Sequence, residues 1–115
     1  MMAINLVDEL DTWCTSLAAA LELKVTRDPA KVAPPCLYLD MPDSVGVTLA
    51  AVTLTQPIWL VAKGGGKAAA DQLLGLLPAV LVALNVSDAT AQPLSIDGTE
   101  YHAYRIPTPL HITEE

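Results

Sequence analysis

The order of apolar periodicities in this 115-residue chain predicts an α/β (α+β) fold. The expected form is a two-layer sandwich: a mixed or antiparallel sheet with two helices packed on one face, in the order α-β-β-α-β-β. Three observations predict it. Apolar residues near the N-terminus recur at helical spacing, a second helix-like run lies between Lys67 and Leu84, and short β-rich segments bounded by Pro and Gly separate and follow them. The length suits one domain, residues 1–115, with no linker or internal repeat to divide it.

The first helix is marked by Leu6, Leu10, Trp13, Cys14, Leu17 and Leu21, spaced by three and four. Asn5 is suited to cap it, and Asp8 and Glu9 lie in the first turn, where the helix dipole favours anions. The helix should run to about Leu23, because Asp28-Pro29 forces extended backbone. Lys24 to Pro35 then reads as a connecting segment whose closing Pro34-Pro35 aims the chain into the sheet.

Cys36 to Met41 is a short strand, followed by the turn-rich Pro42 to Gly46. A long β-rich stretch spans Val47 to Ala62, broken or bulged near Pro57, since proline donates nothing to a ladder. A strand of that length often overhangs its own sheet and reaches a neighbour. Gly64-Gly65-Gly66 leads into the second helix, which is apolar on every side after Gln72, with a kink expected at Pro78. A helix apolar all round must be covered all round, and a sheet covers one face only. The other face calls for the first helix or another copy of the protein. At the C-terminal end, Gln92–Ile96 and Thr99–Ile106 flank Asp97-Gly98, a two-residue hairpin turn. Tyr101 and Tyr104 fall on opposite faces, so at most one enters the core. Pro107 and Pro109 should end the pairing and leave Leu110–Glu115 as an extended tail.

Composition excludes several functional classes. Hydrophobic residues make up 52% and charged residues 17%, too apolar for disorder. Thirteen acidic against six basic residues give a net charge of −7, and so few scattered cations build no phosphate-binding stripe for nucleic acid. No membrane span is expected, because the uncharged stretch Gln72–Ser87 is interrupted by Gly75 and Pro78 and falls short of ~20 residues. The opening Met1–Asn5 carries no basic side chain and does not read as a signal peptide. Cys14 and Cys36 are expected as reduced thiols packed like small hydrophobes.

The chemical motifs fail on inspection. Gly64-Gly65-Gly66-Lys67 evokes a phosphate loop, but Val61 stands where its first Gly belongs and Ala68 where Ser or Thr belongs. Asp40 and Asp43 flank a turn, which favours Asp for its backbone hydrogen bonds. His102 and His111, with two cysteines 22 apart, match no zinc spacing, and no nucleophile motif is present. No catalytic residue, metal or cofactor is therefore expected. Trp59, beside Pro57 in the long strand, is read either as core packing or as an interface anchor. With Leu54 in the same strand and Leu74 and Val82 in the second helix, it makes up the candidate oligomer interface.

The opening helix Asn5–Leu23, the Pro34-Pro35-Cys36-Leu37-Tyr38-Leu39 entry into the sheet, the helix Lys67–Leu84 and the closing strand Thr99–Ile106 together resemble the tail-terminator and neck proteins of long-tailed bacteriophages. The resemblance spans nearly the whole chain and rests on element order. It implies a non-enzymatic virion subunit, assembled in the host bacterial cytoplasm, that forms a homo-oligomeric ring, typically a hexamer. Such a ring caps the tail tube, stops its polymerisation and offers a head-joining surface. The implied partners are further copies of the chain, the tail-tube protein and a head-completion or neck protein, with DNA passing through the lumen without specific binding. Another neck or tail-assembly protein of the same shape, and a small ligand-binding or hydrolase domain with a pocket along the second helix, are the competing readings.

Overall fold

A computed structural model describes residues 5–48 and 51–113. The readings placed on residues 1–4, 49–50 and 114–115 lie outside the described residues. The fold is α+β, as its sequence predicts, and it carries more strands than expected. Helix α1 (Leu6–Leu21) is followed by β1 (Lys24–Thr26), a 3₁₀ turn at Pro29–Lys31, β2 (Cys36–Leu39), β3 (Ser44–Val47) and β4 (Ala51–Val61). Helix α2 (Gly66–Leu84) precedes β5 (Thr90–Ala91), β6 (Leu94–Ile96), β7 (Thr99–Tyr101) and β8 (Ala103–Thr113).

Local chemistry sets the element ends. The Asn5 side chain accepts from the amide of Asp8 at 3.2 Å and caps α1, which closes at Glu22 in the left-handed region. Beyond it the expected connecting segment contains a strand, because Lys24–Thr26 pairs in parallel with Cys36–Tyr38. Gly64 and Gly66 hold positive φ at the entry to α2, a conformation that costs glycine little. Asp97 and Gly98, both at positive φ, make the tight turn between β6 and β7.

The main sheet runs β1-β2-β4-β8-β5, with β3 pairing β4 beyond the end of β2. Strands β4 and β8 pair antiparallel in unbroken register from Ala51–Thr113 to Val61–Ala103. Three prolines lie inside this ladder, contrary to the expected break at Pro57 and stop at Pro107. The backbone directions explain why. Thr48 N donates to Ala51 O, and the carbonyls of Thr55 and Pro57 accept from Asp43 N and Asp40 N, so odd-numbered β4 residues turn their backbone groups away from β8. Pro57 therefore faces the Asp40–Asp43 crossing between β2 and β3, where no ladder donor is needed. Pro107 and Pro109, opposite Pro57 and Thr55, face outward from the edge of β8. The missing N–H groups cost the ladder nothing.

One sheet face carries Leu37, Leu39, Ile58, Leu60 and Ile106, which form the main core with Leu17 of α1 and Ala69, Leu73, Val80 and Leu84 of α2. Both helices lie on this face, as expected. The opposite face was expected bare, but the β6–β7 hairpin folds across it. Leu94, with Ile96 and Tyr101 beside it, packs on Cys36, Tyr38, Trp59, Val61 and Ala103. The two-layer picture thus needs a partial third layer. Tyr101 joins this second cluster while Tyr104 packs on the first, so both tyrosines reach a core. Between Ala51–Thr55 and Pro109–Thr113 the ladder is flanked by β3, and the molecule measures 52 Å in its longest dimension.

Candidate functional site

Helix α2 presents two different faces. Ala69, Leu73, Val80 and Leu84, spaced by four, seven and four, are buried against the sheet. On the other side Leu74 is 56% exposed and Val82 81% exposed. Gly75, Pro78, Ala79 and Ala83 are exposed beside them, and no charged residue occurs between Asp71 and Asp88. Pro78 lies within a continuous helix, where the carbonyl it leaves unpaired can be hydrated on the open face. Helix α1 meets α2 but leaves this outer stripe bare. Contrary to the sequence expectation, α2 is long and apolar enough to cross a membrane by length and composition. Its buried stripe on a β-sheet instead makes it an integral part of the domain core.

The four expected interface positions separate. Leu74 and Val82 share the outer face of α2, about 12 Å apart along the axis. Trp59 and Leu54 do not join them, because both are buried within the chain. Trp59 faces the β6–β7 hairpin on the sheet side away from the helices, and its indole N–H has no hydrogen-bond partner among the described residues. Leu54 sits at the centre of the β3-β4-β8 ladder, in register with Val45 on one side and Leu110 on the other. The stretch Pro42–Gly46 expected as a turn takes in most of strand β3. There Val45 is 48% and Val47 72% exposed. Their alternation around Gly46 is the signal that could have found them.

A concavity of about 420 Å³ opens beside the start of α2, lined by Ala70, Leu73 and Leu74 and by Glu100, His102 and Tyr104 from the far side. The His102 ring lies against Gly65, where an added Cβ would stand 3.4 Å from Nε2. This histidine is exposed, and its carbonyl accepts from Ala62 N.

The other polar groups are engaged locally. Asp40 accepts from the amide of Met41 at 2.8 Å, and Asp43 pairs with Arg105, so the two carboxylates do not act as a pair. Lys67 pairs with Asp71 one turn along α2, and Arg27 bonds Asp11 at 2.9 Å. His111 Nδ1 lies 3.1 Å from Thr53 Oγ1 across β4 and β8. Cys14 is half-buried and Cys36 buried, both unbonded, and burial pushes both thiols above their ordinary range. Among the described residues no group of three or more His, Cys, Asp or Glu side chains is placed to hold a metal ion. No protein family, curated protein or solved structure matches this chain.

Proposed function

We propose that the chain is a structural subunit of a long-tailed bacteriophage virion, similar to tail terminators. In this reading copies of it form a closed ring that caps the tail tube, stops its polymerisation and provides the surface that joins the head. The observation that carries the reading is the outer face of α2. An uncharged apolar stripe through Leu74, Pro78 and Val82 on a small acidic domain is a surface that another subunit would cover. The 11-residue strands β4 and β8 are long enough to give each subunit the reach to contact a neighbour. The net charge of −7 suits a ring whose lumen lets a genome pass without adhering. The subunit needs no catalysis, metal or cofactor for this role. Its partners are further copies of itself, probed as a hexamer, the tail-tube protein and a head-completion or neck protein. A neck or head-completion subunit of the same shape would share all of these features and differ in which end it binds.

Native mass spectrometry over a concentration series, repeated with purified tail tubes, tests the proposal. One closed stoichiometry, or capture at tube ends, is expected. A chain that stays monomeric at every concentration and leaves tube ends unbound would sink it.

The concavity beside α2 favours a second reading, a ligand-binding domain. Its volume falls in the range of small-molecule pockets, with apolar walls and a few polar groups. A stable monomer in which Ala70→Trp, at an exposed lining position, abolishes small-molecule binding without unfolding would favour it over the ring.

A further inference from the structure

The strand edges of this sheet are not protected alike. An exposed edge invites pairing with another chain, and proteins commonly block it with proline, charge or a bulge. Along the free edge of β8, Pro107 and Pro109 occupy outward-facing positions and remove the donors an incoming strand would need. Strand β3 has no such device. Because Thr48 N donates to Ala51 O, the even-numbered residues of β3 face β4, and the N–H and C=O groups of Val45 and Val47 point outward. Among the described residues no strand pairs with that edge. The segment Ser44-Val45-Gly46-Val47-Thr48 carries neither charge nor proline. The flanking Asp43 is tied to Arg105.

The same five residues read nearly alike in both directions about Gly46: hydroxyl, Val, Gly, Val, hydroxyl. A twofold contact brings a surface against itself, and antiparallel pairing reverses one strand relative to the other. A palindromic edge strand is therefore its own complement. We propose that β3 pairs antiparallel with β3 of a second copy of this chain, about a twofold axis at Gly46. Val45 then stands opposite Val47 of the partner on both sides of the axis, and each such pair exchanges both of its outward backbone bonds. The four valines extend the apolar face formed by Val52, Leu54, Leu110 and Ile112 from one copy into the next. At the axis the two glycines meet as a non-bonded pair, Cα atoms about 4.5 Å apart, without a Cβ to separate them. This contact closes at two copies and is separate from the outer face of α2, so it stands whether or not the ring reading holds.

Sedimentation equilibrium of the full chain, from micromolar to millimolar concentration, tests the pairing with two variants. Val47→Pro removes an outward N–H and leaves the bonds to β4 intact, the arrangement already present at Pro107 and Pro109. Wild type should dimerise, and Val47→Pro should raise the dimer dissociation constant at least ~10-fold with an unchanged thermal midpoint. Gly46→Cys adds a Cβ that meets only Thr53 O, at 3.8 Å, at a position without positive φ. On mild oxidation it should give disulfide-linked dimers well beyond the background from Cys14 and Cys36 in wild type, because a non-bonded pair lies within disulfide range. Wild type that remains monomeric, Val47→Pro that dimerises like wild type, or Gly46→Cys that cross-links no faster than background each overturns the proposal. Loss of association in Val82→Asp alone, with Val47→Pro unaffected, assigns it to α2 and also overturns β3 pairing. A dimer that survives Val82→Asp and is lost in Val47→Pro upholds β3 pairing while the α2 reading fails.

Discussion

Gln56 and Thr108 stand opposite each other on β4 and β8, on the helix-bearing side of the sheet, and both are buried. Each is followed toward the core by isoleucine, Ile58 opposite Ile106, and on the other side by leucine, Leu54 opposite Leu110. A polar rung therefore crosses an otherwise apolar face where β2 ends and β3 begins. The Gln56 amide nitrogen donates to the carbonyls of Asp40 and Pro57, binding the crossing segment to the central strand beside the backbone bonds from Asp40 N and Asp43 N. Its carbonyl oxygen has no partner among the described residues.

That arrangement predicts an asymmetry between two substitutions of similar size. Gln56→Met loses a donor to Asp40 O but also removes the unpartnered acceptor, and should cost ~1 kcal/mol. Gln56→Glu places a carboxylate against two carbonyls in a buried site, and should cost ~3 kcal/mol or more at neutral pH. Urea unfolding monitored by circular dichroism checks both. Equal losses would mean that the site is wetter than its burial indicates.

Trp59 should behave as a core residue of the isolated subunit. Trp59→Ala removes the indole from between the sheet and the β6–β7 hairpin and should cost ~3–5 kcal/mol of stability at any protein concentration. Trp59→Phe should cost much less, because the indole N–H it deletes makes no hydrogen bond. Thermal unfolding at low and high concentration separates the cases. A loss seen only where the protein associates would return Trp59 to an interface.

Trp59 marks how far sequence reaches here. Helix α1, its Asn5 cap, the start of β2 at Cys36 and the Asp97-Gly98 turn were all legible, because each depends on neighbours within a few residues. Nothing local announces that the hairpin folds back over the far face of the sheet, so sequence leaves core packing and interface anchor as alternatives for Trp59, and the fold selects the first. The three prolines mislead for a related reason. Sequence records that Pro107 lacks a donor, but not that its nitrogen faces an open edge. Strand β1 is only three residues of parallel pairing, too short to show a period. In the candidate site, the outward placement of Leu74 and Val82 followed from an excess of apolar residues over one sheet face. Leu54 was misplaced because an uninterrupted strand does not reveal which segment has neighbours on both sides.

Val80 and Val82 offer a direct test of the two faces of α2. They carry the same side chain two residues apart, one buried and the other largely exposed. Val82→Asp should leave the chain's stability within ~0.5 kcal/mol and, on the proposed ring reading, abolish self-association. Val80→Asp should unfold the subunit, since it buries a charge against the main core. Paired measurements of thermal midpoint and sedimentation check this. Unfolding by Val82→Asp would show that its face is packed, and the apolar stripe would no longer argue for a partner.

The buried thiols set an alkaline limit to stability. Burial raises Cys36 and Cys14 above their ordinary value of 9.0, and burial likewise raises Tyr38 above 10.0, with Asp40 adding to it. In each case the folded chain holds its proton at a pH where the unfolded chain has released it. Stability is then fully present below about pH 9 and falls as pH climbs through the folded-state values, because the native state binds more protons there. Cys36→Ala should be less stable than wild type at neutral pH, through lost packing at a fully buried site. It should nevertheless lose less on going to about pH 10, since one of the titrating groups is gone. The check is the change in urea midpoint between those two conditions, compared between the two proteins. A steeper alkaline loss in Cys36→Ala than in wild type would show that the thiol is already ionised in the folded chain, against the burial argument.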